Sequence, residues 1–105
     1  MRLYRVTKND PPSEEDMMSY GDLYVERRPQ GRRDEAAWKE VSTFVTAELA
    51  ASKARARNLG WYVAELEVPE DAVASRAESG HVGLSGLTPR QLLGMVQNVR
   101  RVDEV

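Results

Sequence analysis

The sequence contains no cysteine and a single histidine. Without cysteine there is neither a disulfide framework nor a thiolate nucleophile, which fits a reducing, cytoplasmic setting. One histidine cannot build a histidine-rich metal site, so we expect no metal cofactor. No apolar run approaches the ~20 residues that span a bilayer, and the first residues lack the apolar core of a signal peptide. We therefore expect no membrane partner.

The chain also lacks a large excess of charge of either sign. Its formal net charge is −2, which gives the whole molecule no strong attraction to nucleic acid or to a membrane surface. At 105 residues, of which 41% are hydrophobic, the chain is long enough to bury a core without a metal or a disulfide. We expect one domain over residues 1–105.

The stretch with the clearest pattern predicts one helix that follows a strand. Residues 41–45 are rich in β-branched and aromatic side chains, which favours a strand. A helix is predicted over 46–59, because Thr46 can cap its start and Gly60 can take the left-handed position after its end. Alanines recur at helical spacing within it, so we expect an alanine-lined face to pack on a sheet.

The flanking segments predict further strands and short helices. Residues 61–68 alternate between apolar and polar side chains, which predicts a strand with one wet face in an antiparallel or mixed sheet. The remaining predictions are strands over 2–7, 23–27, 81–84 and 99–105, and short helices over 13–21, 34–40 and 70–73 and from Thr88 onward. Together these elements predict an α+β domain, with one main helix over 46–59 and several short ones.

The order of these elements resembles the ADP-ribosyltransferase fold, in particular its short toxin-like members. That family carries an Arg or His on its first strand, which helps to hold NAD, and Arg5 stands at that place. It also carries a Ser-Thr-Ser-like motif on a later strand, and Ser42-Thr43-Phe44 matches two of its three positions. The resemblance implies an NAD cleft lined by Arg5, Ser42, Thr43 and Phe44, and transfer of ADP-ribose to an unknown protein target.

The resemblance also implies a catalytic glutamate nearer the C-terminus, and here the chain departs from the family. The corresponding stretch reads Gly80-His81-Val82-Gly83-Leu84, which has no carboxylate. The remaining candidates for a catalytic role are Glu65, Glu67, Glu104 and His81, the last being the side chain that titrates near neutrality. We therefore expect a scaffold that is better equipped to bind NAD or a related nucleotide than to transfer ADP-ribose.

Each candidate residue also fits a plainer role. Arg5 could be a solvated or salt-bridged strand residue. Ser42 and Thr43 could form local hydrogen bonds. Glu65 and Glu67 could simply make up the wet face of a strand.

A second class of function rests on a cluster of arginines. Arg27, Arg28, Arg32 and Arg33, together with Arg100 and Arg101, could form a basic patch for phosphates or for an acidic partner. Acidic neighbours between residues 26 and 35 could instead neutralise this patch. The alternative function is thus a non-enzymatic interaction module for a protein or a nucleic acid, although the negative net charge argues against nucleic acid.

Overall fold

The computed structural model describes residues 1–23 and 38–105. Its strands are β1 (Arg2–Thr7), β2 (Val41–Phe44), β3 (Tyr62–Glu67), β4 (Val73–Arg76), β5 (His81–Leu84) and β6 (Val96–Arg101). Its α-helices are α1 (Tyr20–Leu23), α2 (Ala47–Arg57) and α3 (Pro89–Leu93). Short 3-10 helices lie at Glu15–Met17, Glu70–Ala72 and Val102–Glu104. The predicted α+β class with one main helix is confirmed.

The strands form one antiparallel sheet in the order β4-β5-β2-β1-β3-β6. β1 pairs with β3 over six residues, and β2 pairs with β5 over four. In the described part of the chain, β1 and β2 share one registered pair, Tyr4 with Phe44. The sheet therefore consists of two three-stranded halves, β4-β5-β2 and β1-β3-β6, which meet at a narrow junction between β1 and β2.

α2 packs on one face of the sheet through its alanines, as predicted. The buried alanines are Ala47, Ala50, Ala51 and Ala54, and they pack with Phe44 and Val63. Small side chains on this face allow the helix axis to lie close to the strands. At the start of the helix the hydroxyl of Thr46 accepts the N–H of Leu49 at 3.2 Å, which confirms the predicted cap.

The end of α2 differs from the prediction. The helix ends at Arg57, and Asn58, with a φ of 52°, takes the left-handed position that was predicted for Gly60. Asn tolerates this conformation because its short polar side chain can bond locally. Gly60 is required for another reason, since a Cβ on it would collide with the backbone carbonyl of Thr7. The missing side chain lets the chain enter β3 directly beside β1.

The opposite face of the sheet carries a second core. Leu3, Ala64 and Leu66 are fully buried there against Met17 of the first 3-10 helix and Leu92 of α3. Strands β1 and β3 are thus covered on both faces. Arg5, two residues after Leu3 on the same strand, belongs to this second face.

Several predictions of short elements are wrong. Residues 13–21 form a 3-10 turn followed by α1, so Gly21 lies within a helix and does not end one. Val73, predicted to end a helix, begins the edge strand β4. The last strand spans Val96–Arg101 in place of 99–105. These elements depend on which neighbour they pair with, and local sequence pattern does not specify that neighbour.

The strand predicted over 23–27 and the helical turn predicted over 34–40 fall largely on residues 24–37, which lie outside the described residues. Leu23 itself is helical, and so are Trp38 and Lys39. Among residues 1–23 and 38–105, no helix combines the length and the apolar character that crossing a membrane requires. The same ranges contain no group of three or more His, Cys, Asp or Glu residues that could hold a metal ion.

Candidate functional site

Arg5, the first of the predicted nucleotide-binding residues, lies at the junction of the two half-sheets. Three nitrogen atoms of its guanidinium each donate to a backbone carbonyl. Nε donates to Asp16 at 2.7 Å, Nη1 to Ser42 at 2.7 Å and Nη2 to Met18 at 3.0 Å. Arg5 thus ties β1 both to β2 and to the segment that follows the first 3-10 helix.

Burial changes the acid–base behaviour of Arg5. Desolvation lowers the pKa of its guanidinium to about 10, although the nearby Tyr20 and Asp16 act in the opposite direction. The side chain nevertheless stays protonated at neutral pH, because that pKa lies well above 7. A buried cation is tolerated only where hydrogen bonds replace its lost hydration, and the three carbonyls provide them.

Asp16 holds together the segment that closes over Arg5. Its carboxylate accepts the N–H of Lys8 at 2.8 Å, the N–H of Ser13 at 2.9 Å, the side-chain amide of Asn9 at 3.1 Å and the Ser13 hydroxyl at 3.2 Å. Burial alone would raise the pKa of Asp16, but these hydrogen bonds to the charged form outweigh it, and the pKa lies below its ordinary value. We term residues 8–18, held by Asp16 and Arg5, the clasp.

The predicted motif at residues 42–44 lies on β2, beside the junction, and two of its side chains are committed to the core. Thr43 is fully buried, and its hydroxyl donates to the carbonyl of Val82 at 2.8 Å. Phe44 is buried under α2 and meets His81 edge-on, with ring centroids 5.6 Å apart. The side chains of Thr43 and Phe44 are therefore both engaged in contacts within the fold.

Ser42 is half-buried and differs from its two neighbours. Its backbone carbonyl accepts a hydrogen bond from Arg5, so one residue from each of the two motifs that carry the family resemblance is in direct contact with the other. Its side chain shares the α2 face with Phe44, because side chains two residues apart on a strand point the same way. Arg5 lies on the opposite face. Arg5 and Ser42 are therefore in contact through the Ser42 backbone carbonyl, and their side chains lie on opposite faces of the sheet.

Glu65 and Glu67 belong to the α2 face of the sheet. The Tyr4 hydroxyl donates to Glu65 Oε1 at 3.4 Å, and Arg2 Nε lies 3.9 Å from Glu65 Oε2 and 3.8 Å from Glu67 Oε2. Alternation along β1 places Arg5 on the other face from Arg2 and Tyr4. Neither carboxylate therefore shares a face with the guanidinium of Arg5.

The other two catalytic candidates lie on separate elements. Glu104 is exposed in the 3-10 helix at Val102–Glu104, next to the end of α2, where Arg55 donates to the carbonyl of Val102 at 2.7 Å. His81 is half-buried at the start of β5, against Phe44. The structure thus distributes the four predicted catalytic candidates over three elements.

A carboxylate that the sequence analysis missed lies beside Ser42. Glu40 immediately precedes β2, and its Oε2 accepts the hydroxyl of Ser75 at 2.9 Å. Both groups fill the space that a side chain at position 83 would need, because a Cβ on Gly83 would collide with each of them. Ser42 is the cross-strand partner of Gly83, and such partners have Cβ positions ~5 Å apart. We term Glu40, Ser42, Ser75 and Gly83 the Glu40 cluster.

One sequence signal pointed toward this cluster. A glycine inside a strand marks a place where other groups approach the backbone closely, and Gly83 is such a glycine on a buried strand. The sequence could not say which group approaches. Glu40 is 43 positions away in the chain, and it reaches Gly83 because β2 and β5 are neighbours.

The predicted partner-binding arginines, Arg27, Arg28, Arg32 and Arg33, lie outside the described residues. Arg100 and Arg101 are exposed on the edge strand β6, where Arg101 lies 3.3 Å from Asp103. Comparisons of the chain with protein-family models, with curated proteins and with solved structures find no match.

Proposed function

We propose that this chain is an ADP-ribosyltransferase-like domain that binds NAD or a related nucleotide at the junction of β1 and β2. One observation carries the proposal. Arg5 and Ser42, which represent two separate motifs of the resemblance, are 37 positions apart and are joined by a hydrogen bond of 2.7 Å. The single registered pair between β1 and β2 also leaves other backbone groups of the two strands outside the ladder.

The polar groups around the junction match the parts of a nucleotide. Arg5 is a cation at neutral pH, and a guanidinium pairs with phosphate oxygens through two parallel N–H groups. On the other face, the Ser42 hydroxyl and the Glu40 carboxylate can exchange hydrogen bonds with ribose hydroxyls. In this proposal the nucleotide lies across the junction of β1 and β2 and is contacted from both faces of the sheet.

Glu40 also bears on catalysis. Transfer of ADP-ribose builds positive charge on the ribose, which a nearby carboxylate stabilises. Glu65 and Glu67 lie on β3, which β1 separates from β2, whereas Glu40 immediately precedes β2 and lies beside Ser42. The proposal concerns nucleotide binding, and it assigns to Glu40 the carboxylate role in any transfer or hydrolysis that accompanies binding.

Calorimetric titration with NAD tests the proposal, and Ser42→Ala is the informative variant. Replacing Arg5 would also break three hydrogen bonds within the fold, whereas Ser42 contributes a half-buried hydroxyl. We expect saturable binding that weakens roughly three- to tenfold in Ser42→Ala. Ser79→Ala, an exposed serine in a turn, is the matched control and should bind as the wild type does. No saturable binding up to millimolar NAD would contradict the proposal.

A further inference from the structure

We infer that the clasp, residues 8–18, regulates the proposed nucleotide site by competing with the ligand for the guanidinium of Arg5. This inference rests on the proposed function. Its basis is the set of acceptors that Arg5 uses. Two of them, the carbonyls of Asp16 and Met18, belong to the clasp, and the third belongs to Ser42 on β2.

The geometry sets the clasp and a phosphate in competition for Nε of Arg5. Nε and Nη2 are held by clasp carbonyls at 2.7 and 3.0 Å. A phosphate takes two parallel N–H groups of a guanidinium, and one such pair lies on Nε and Nη2, so binding through this pair competes with the clasp for Nε. Opening the clasp at Asp16 withdraws the carbonyl that holds Nε and leaves Nη1 anchored on Ser42.

The clasp is built so that its outer part can open locally. Lys8, Asn9, Asp10 and Pro11 are all exposed, and they contribute little apolar contact. The hydrogen bonds that close this part converge on the single carboxylate of Asp16. Segments with few buried apolar contacts open at a small fraction of the global unfolding free energy. Asp16 couples this outer part to Arg5, because its carboxylate holds the outer residues and its backbone carbonyl accepts from Nε.

Competition of this kind has a signature that a structural role lacks. If the ligand binds only molecules with an open clasp, its apparent affinity is reduced by the fraction that is open. Weakening the clasp raises that fraction, and therefore tightens binding. Loosening a segment that merely supports the site would weaken binding.

Asp16→Asn is the principal test, because it removes the charge of the acceptor and keeps its shape. We expect NAD to bind this variant roughly three- to tenfold more tightly than the wild type, by calorimetry at neutral pH. Asn9→Ala deletes one of the four hydrogen bonds to the Asp16 carboxylate, at 3.1 Å, and a 3.5 Å bond to Ser13, so it should shift the affinity less, in the same direction. Asp22→Asn is the matched control, since Asp22 is exposed and bonds to Ser19 outside the clasp. Its affinity should equal that of the wild type.

Hydrogen exchange in the wild-type protein gives a second readout. The backbone N–H groups of Lys8 and Ser13 donate to Asp16, so their exchange rates report clasp opening. Saturating NAD should accelerate exchange at both amides. This readout and Asn9→Ala decide the question if Asp16→Asn does not fold.

The outcomes separate the two proposals. If NAD binds, but folded clasp variants bind it with equal or lower affinity, or the Lys8 and Ser13 amides become more protected, competition is wrong and the proposed function stands. If neither the wild type nor any folded variant binds NAD, the proposed function fails and the inference falls with it.

Discussion

At the scale of single residues, the junction depends on two charged groups that each satisfy several partners. Arg5 supplies donors to three carbonyls, and Asp16 supplies acceptors to the chain around residues 8–13. Removing either would leave buried polar groups unpaired, at ~1–3 kcal/mol for each group. Both residues are therefore structural as well as candidates for function, and experiments must separate the two roles.

Asp16 should make stability sensitive to acid. Its pKa is lowered in the folded state, so its contribution is fully present above its unfolded pKa of about 3.9 and is lost as pH falls through the lower folded value. We expect the free energy of unfolding in urea to fall less steeply below pH 4 in Asp16→Asn than in the wild type. Asp22→Asn should retain the wild-type slope. Identical slopes for Asp16→Asn and the wild type would show that the carboxylate is not stabilised by folding.

Gly83→Ala should displace Glu40 with little cost to the fold. The atoms that a Cβ would meet are the ends of the Glu40 and Ser75 side chains, which can rotate away. We expect the free energy of unfolding to change by less than about 1 kcal/mol, while NAD affinity falls roughly three- to tenfold. Gly94→Ala is the control, because Gly94 has a φ of −66° that alanine adopts readily. If Gly83→Ala binds NAD with the wild-type affinity, Glu40 does not contribute to NAD binding.

At the scale of elements, α2 is the part of the molecule that follows most directly from local sequence. Its start, its cap and its alanine face follow from local chemistry, since helix propensity and capping act within a few residues. Asn58 and Gly60 show the limit of that reasoning. Both residue types can end a helix, but Asn58 takes the left-handed position and Gly60 makes the close approach to Thr7 on β1.

The alanine face gives a direct test at this scale. Ala50→Leu adds volume where the helix meets the sheet, so we expect a loss of roughly 1–3 kcal/mol in the free energy of unfolding. Ala56→Leu on the exposed side of the same helix should change it by less than about 0.5 kcal/mol. Urea denaturation measures both. Equal stability of the two variants would mean that α2 does not pack through Ala50.

The candidate site was predictable only in part, for the same reason as the short elements. Sequence pattern placed Arg5 and Ser42 on strands, but their contact depends on β1 and β2 being neighbours. Two other contacts depend on β5 lying next to β2. They are the hydrogen bond from Thr43 to Val82 and the approach of Glu40 to Gly83. Strand order is a property of the whole chain, and local pattern does not carry it.

At the scale of the whole molecule, Arg5 links the two half-sheets where the backbone ladder is weakest. Arg5→Met should therefore destabilise the protein by roughly 3 kcal/mol or more, because three carbonyls lose their partner together. Arg2→Met, on the same strand but 60% exposed in its side chain, should cost less than about 1 kcal/mol. Thermal unfolding of both variants distinguishes these expectations. A small effect of Arg5→Met would show that the half-sheets hold together without it.

The chain weaves between the two half-sheets. One half contains β2, β4 and β5, and the other contains β1, β3 and β6, so only the β4–β5 connection among the described strands stays within a half. Neither half is a continuous piece of sequence. No contiguous segment therefore contains all the strands of one half without a strand of the other, so an exchange of one segment cannot pass on a complete half by itself.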